Sequence, residues 1–211
     1  MTNWIDISQP LTNEIAHWPE DTPFSYQLTY TKQQTGSVNI GQILTSVHTG
    51  THVDAPFHFD DQGEKILDLD VSIYIGRAKV IDVSSVNVIN RDVLNGFHLN
   101  GVERLLLRTS LSSSPNQFPK SIPILDPDVA PYLAAIGIRL LGVNMPSVDP
   151  LDSKELPTHH ALHQNGIYIL ENVILDAIKE GDYFLSALPL ALEESDGSPV
   201  RAVIRKIEEE K

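Results

Sequence analysis

The chain contains no cysteine. That removes disulfides, thiolate metal ligands and a cysteine nucleophile together. Any metal site must then be built from imidazole and carboxylate. Positive charge is also scarce: 15 Lys and Arg stand against 28 Asp and Glu, for a formal net charge of -13. Such a chain has little with which to displace counterions from a phosphate backbone or to approach an anionic bilayer, so neither nucleic acid nor membrane is expected as a partner. No apolar run approaches the roughly 20 residues that span a bilayer. The opening "MTNWIDISQPL" has neither a basic nor an apolar signal region, so a cytoplasmic location is the default expectation. A small molecule is left as the expected partner.

What is present suits one globular domain over residues 1–211, with a hydrophobic fraction of 41%. Strands are expected at 77–84, 102–109, 138–145, 182–189 and 200–207. The second and third have near-continuous apolar cores, as strands buried on both faces do. Between them, 126–137 reads as a helix, with Asp126 as N-cap, Pro127 at the first helical position and Gly137 at the close. The Ser- and Pro-rich stretch 110–121 reads as a surface loop. The sum is an α/β fold with mixed strand directions.

The eight histidines are unevenly spread. "VHTGTHVDAPFHF" (47–59) holds His48, His52 and His58 with Asp54. Thr49, Thr51, Val53, Gly50 and Pro56 all disfavour a helix here, so an extended strand is expected. Alternation would then put His48, His52 and Asp54 on one face, with Gly50 leaving room for an ion among them. Pro56 breaks the parity, but His58 stays near enough to reach a substrate. A lone strand histidine is usually structural. Two imidazoles and a carboxylate buried together are costly unless something compensates their polar atoms.

"LPTHHALHQNGIYILEN" (156–172) adds His159, His160 and His163. Thr158 is expected to N-cap a short helix closed by Gly166, with His159 and His163 on one face and His160 turned aside. "IYILE" (167–171) reads as a strand delivering Glu171 at its end.

The run from His48 to His58 resembles the HxGTHxDxPxH signature of the cyclase-like metal hydrolase family. The likeness continues through "WIDISQPL", "WPEDTPF", "GVERLLLRT", "GVNMPSVDPLDSKELPTHH", "ILENVILD" and "LPLALEESDGSPVRAVI", nearly the whole chain, and is strongest toward the family's aryl formamidases. It implies a swivelling β/β/α fold with a mixed sheet, a homodimer, and a site for two divalent metal ions, usually zinc, with manganese also admitted. It implies His48, His52 and Asp54 as first-metal ligands, Asp54 bridging to the second metal, and Glu171 as the other bridge. The family's remaining histidine ligand stands twelve positions before that glutamate, which selects His159 over His160. His58 matches the acid/base residue and Trp18 a substrate contact. Pro157-Thr158 is a departure, since relatives often carry Asp-Ala or Asp-Ser there.

The implied chemistry is hydrolysis of N-formyl-L-kynurenine to L-kynurenine and formate. Two divalent ions about 4 Å apart can hold a hydroxide that is nucleophilic at neutral pH. An anilide nitrogen must be protonated as it leaves, a task for an imidazole such as His58. Trp18 offers an aromatic platform for the aryl ring. The other expectations are a related enzyme opening a cyclic amide such as isatin or a lactam, and a catalytically silent metal-binding protein.

Overall fold

The computed structural model describes residues 3–207. In chain order its strands are β1 (Ile5–Asp6), β2 (Ser25–Tyr30), β3 (Ile40–Leu44), β4 (His52–Asp54), β5 (Ile75–Asp82), β6 (Val88–Ile89), β7 (Arg104–Arg108), β8 (Ile124–Leu125), β9 (Leu140–Val143), β10 (Tyr168–Glu171), β11 (Gly181–Ser186), β12 (Gly197–Pro199) and β13 (Val203–Lys206). Four short helices accompany them: α1 (Lys32–Thr35), α2 (Arg91–Asn95), α3 (Val129–Ala135) and α4 (Pro157–Gln164). All five expected strands form: three are trimmed at their ends, β11 starts one residue early and stops three short, and β5 keeps its length but lies two residues earlier than expected.

One nine-stranded mixed sheet runs β1-β13-β11-β5-β7-β9-β10-β4-β12. Its centre, β5-β7-β9-β10, is parallel. The outer pairings, β10 with β4, β4 with β12, β5 with β11, β11 with β13 and β13 with β1, are antiparallel. The apolar runs in β7 and β9 have a simple cause. Leu105, Leu107, Leu141 and Val143 pack with residues of α2, α3 and α4 on one face. Leu106 and Leu140 join a second core on the other, with Val53, Leu170 and Ile204. Each fully buried leucine contributes about 1.5–3 kcal/mol relative to an exposed one.

The strand–helix–strand unit β7-α3-β9 is present, but α3 starts later than expected. Asp126 caps the turn before it, accepting from Asp128 N at 3.0 Å, and the helix proper begins at Val129. Gly137 does follow the helix, in the left-handed conformation. No helix among the described residues is long and apolar enough to cross a membrane. The hairpin β2-β3 pairs only with itself and is exposed along its whole length.

Candidate active site

Sheet register assembles the centre of the site. In the β10-β4 pair, Glu171 lies opposite His52 and Leu170 opposite Val53. Alternation sends Val53 and Leu170 into the core. It sends His52, Asp54 and Glu171 together to the other face. All three are at most 3% exposed.

His48 arrives by a different route from the one parity predicts. The strand covers only His52–Asp54, and residues 47–51 form turns and bends. Gly50 sits at φ +70°, a left-handed position, and a side chain there would meet Leu11 Cδ2 at 2.7 Å. Its bareness serves the turn and Leu11, not an ion. Asn172, at φ +58°, locks this turn: its Nδ2 donates to the Gly50 carbonyl at 3.2 Å, and its own carbonyl accepts from Thr51 Oγ1 at 2.7 Å. The turn folds His48 back over the strand, so that Nδ1 lies 3.0 Å from Asp54 Oδ1. The imidazole lies against Gly197 of β12, where a Cβ would stand 2.7 Å from the ring.

The second window also differs in its cap. Helix α4 begins at Pro157, and Thr158 is inside it, with Oγ1 donating to the Leu125 carbonyl. The capping group is Asp149, ten residues before His159. Its carboxylate accepts from Thr158 N at 2.9 Å and His159 N at 3.0 Å, and pairs with His159 Nδ1 at 2.7 Å. The departure at Pro157-Thr158 is therefore accommodated, because Pro needs no amide partner at the first helical position. His159 is buried toward the carboxylates, and it packs with His160 and His163 around the Phe59 ring.

A single rule describes the three buried or nearly buried imidazoles. Each has one nitrogen tied to an oxygen outside the cluster and presents the other to Asp54, with His52 and His159 facing Glu171 as well. His48 Nε2 is held by Asp196 at 2.9 Å, His52 Nδ1 by the Gly50 carbonyl at 2.9 Å, and His159 Nδ1 by Asp149. The inward nitrogens lie 3.0 Å (His48) and 3.4 Å (His52) from Asp54 Oδ1, 3.4 Å from Glu171 Oε2 (His52), and 3.8 Å from both carboxylates (His159). Metal-ligating histidines are oriented in this way.

The electrostatics agree. Burial and the charge of Asp54 push Glu171 well above the usual carboxylate range. Burial would raise Asp54 too, but hydrogen bonds from His48 and His52 hold it well below. Burial would lower His48, yet its bonds to Asp196 and Asp54 push it up to about 9. Two adjacent buried carboxylates are thus unbalanced, and Asp54 Oδ2 is buried with no hydrogen-bond partner. A divalent cation answers both problems. Donor separations of 3.0–3.4 Å also approximate the edge of a tetrahedron with bonds of about 2.0–2.1 Å. The residues fit a metal.

His58 stands apart from that rule. It closes a 3₁₀ turn, Pro56–His58, stacks on the His48 ring at 3.9 Å, and keeps about a third of its side chain in solvent. Its Nδ1 is 3.5 Å from Asp196 Oδ2. It is close enough to His48 and Asp54 to join them around an ion, but its exposure distinguishes it from the other imidazoles. Over the cluster lies a cavity of about 610 Å³ whose walls include His58, Lys154 and Trp18. Trp18 contacts Phe118 at 4.9 Å, and both also border a neighbouring cavity of about 390 Å³. The 110–121 loop therefore walls the site as well as lying on the surface.

Asp149, Asp196, Asn172 and Phe118 are the residues that sequence reasoning missed. Asp196-Gly197 carries a turn signal, but no local pattern states which distant histidine an aspartate will hold.

Comparison with known proteins is consistent with this geometry. The Cyclase family model ("Putative cyclase") matches residues 5–150. The chain is 61% identical over 206 residues to a kynurenine formamidase of Bacillus thuringiensis (strain Al Hakam), covering 98% of this chain and 99% of that one. A Bacillus anthracis kynurenine formamidase is 60% identical with the same coverage. Among solved structures, a "predicted metal-dependent hydrolase from Bacillus stearothermophilus" superposes with a TM-score of 0.83 at 25% identity, over 98% of this chain and all of that one. Isatin hydrolase A from Labrenzia aggregata gives 0.81 at 21% identity, covering 98% and 94% of the two chains, a likeness of fold alone. The chain belongs to the cyclase family, with kynurenine formamidases among its full-length relatives.

Proposed function

We propose that the chain is a metal-dependent amidohydrolase that converts N-formyl-L-kynurenine and water to L-kynurenine and formate. The observation that carries this reading is the pair of buried carboxylates, Asp54 and Glu171, met by three pre-oriented imidazoles beneath a cavity with one exposed histidine. His48, His52 and Asp54 would hold one ion, and Asp54, His159 and Glu171 a second. Zinc suits imidazole and carboxylate donors at this spacing, and manganese is also admitted. When bound, such ions polarise a carbonyl and supply a water acidic enough to attack it at neutral pH.

The chain's own residues do the rest. Trp18, backed by Phe118, gives the aryl ring an apolar face. His58 delivers a proton to the leaving arylamine nitrogen, a role imidazole fills at neutral pH. Lys154 is the one Lys or Arg side chain among the described residues that lines the cavity over the cluster, and it suits the substrate's α-carboxylate. A formyl group is the smallest acyl group, so nothing shields its carbon from attack. We take residues 1–211 as one catalytic domain and the cytoplasm as its compartment. A homodimer fits the projecting hairpin, where Tyr26, Leu28, Tyr30, Ile40, Ile43 and Leu44 are all exposed and call for a partner surface.

The test is kcat/KM for N-formyl-L-kynurenine beside isatin and a cyclic imide on one zinc-loaded preparation, with metal analysis. The formyl substrate should win, with about two divalent ions per chain. A cyclic substrate winning by about tenfold or more, some 1.4 kcal/mol in transition-state binding, overturns the assignment. His58→Ala should lower kcat by roughly 10²-fold with metal retained, whereas His52→Ala should lose metal. Equal metal loss in both would make His58 a ligand.

A further inference from the structure

Asp196 holds His48 and also reaches His58, so it touches both halves of the site. Its Oδ2 accepts from His48 Nε2 at 2.9 Å and lies 3.5 Å from His58 Nδ1. Those two rings are stacked at 3.9 Å, so one carboxylate oxygen serves both edges of the stack. Its placement comes from the backbone. The Asp196 carbonyl accepts from Ala55 N at 2.9 Å, Gly197 pairs with Asp54 in the β12-β4 register, and the neighbouring Ser195 carbonyl accepts from Ile66 N at 3.0 Å. The side chain is therefore fixed at its base while about two-fifths of it stays in solvent.

We infer that Asp196 is the positioning residue that aims His48 at the metal and His58 at the substrate. Holding Nε2 of His48 leaves Nδ1 turned toward Asp54, where a ligand nitrogen is needed. Attracting Nδ1–H of His58 selects the tautomer and ring orientation in which bare Nε2 faces the cavity, placed to take a proton from the attacking water and pass it to the leaving nitrogen. A carboxylate behind a ligand or acid/base histidine acts in this way elsewhere in enzymes. The same group here serves both, which couples metal occupancy to the aim of the proton donor. The inference rests on the metal-hydrolase reading, and deepens it.

The test uses the full-length enzyme with zinc and N-formyl-L-kynurenine. Asp196→Ala should weaken zinc binding roughly 10- to 100-fold in a chelator competition. At saturating zinc it should also lower kcat on a similar scale, with KM moving by no more than about threefold. Asp196→Asn, whose amide oxygen can still accept, should recover part of both losses. In a His58→Ala background, Asp196→Ala should cost little further kcat, because its effect passes through the missing ring. Its zinc defect should persist, since that passes through His48. Full additivity in kcat, or wild-type zinc affinity in both Asp196 variants, overturns the inference. Should Asp196→Ala fail to fold, Asp196→Asn carries the same comparison. The zinc arm needs no substrate and so stands apart from the substrate assignment; in the kinetic arm, wild type and His58→Ala hydrolysing the formyl substrate equally would sink the role of His58, while an active wild type matched by Asp196→Ala would sink only the role of Asp196.

Discussion

Replacing Asp149 with alanine tests how the protein holds His159. The carboxylate is 1% exposed and takes three bonds, from the amides of Thr158 and His159 and from the His159 ring, at 2.9, 3.0 and 2.7 Å. Alanine removes the cap of α4, which costs about 0.5–2 kcal/mol. It also leaves the buried His159 ring N–H without its partner, at about 1–3 kcal/mol for an unsatisfied buried group. We expect the metal-stripped variant to lose about 3 kcal/mol in urea unfolding. At the usual scaling for a chain of this size, that is a melting temperature lower by about 6–12 °C. Once His159 loses its tether, affinity for the proposed second ion should fall roughly 10- to 100-fold, while an ion held by His48, His52 and Asp54, as we propose for the first, should bind nearly as before. Stepwise zinc titration against a chelator reads the two ions separately. A variant that melts lower but binds both ions as wild type does would refute the tether and leave Asp149 only a helix cap.

Three further outcomes follow from the same geometry. His159→Ala should reduce metal content far more than His160→Ala, because only His159 points at Asp54 and Glu171; elemental analysis giving the opposite order would refute the register. Trp18→Ala should cost aryl formamides in general about 1–3 kcal/mol in kcat/KM, whereas Lys154→Met should penalise only those carrying the amino-acid carboxylate; formanilide beside N-formyl-L-kynurenine separates the two. The metal-stripped protein should lose stability as the solution turns alkaline. His48, raised from 6.5 to about 9, contributes fully below pH 6.5 and loses that contribution as pH rises through 9, at most about 3 kcal/mol. Glu171, also raised, acts in the same direction from a lower starting pH. Thermal melts that stay flat across that window in stripped protein would contradict the ion-pair network around His48.

Sequence by itself determined the elements whose causes are local. Near-continuous leucines in β7 and β9 announced strands covered on both faces, and they are. Alternation in His52-Val53-Asp54 placed two donors opposite a core residue, and "IYILE" delivered Glu171 where expected. These survive translation into three dimensions because strand periodicity depends only on neighbouring residues. The twelve-residue spacing to Glu171 singled out His159, but by family likeness rather than by geometry. Other features depended on groups far apart in the chain. His48 reaches the cluster through a left-handed turn at Gly50, locked by Asn172 more than 120 residues away, and not through the strand parity expected for it. Thr158 looked like the cap of α4, yet Asp149 outcompetes it by lying in a loop that returns over the helix start. Asp196 meets His48 across 148 positions, through strand register alone. A carboxylate and an imidazole attract wherever the backbone brings them together, and only the pairing of β10, β4 and β12 decided which of 28 acidic residues would meet which of eight histidines.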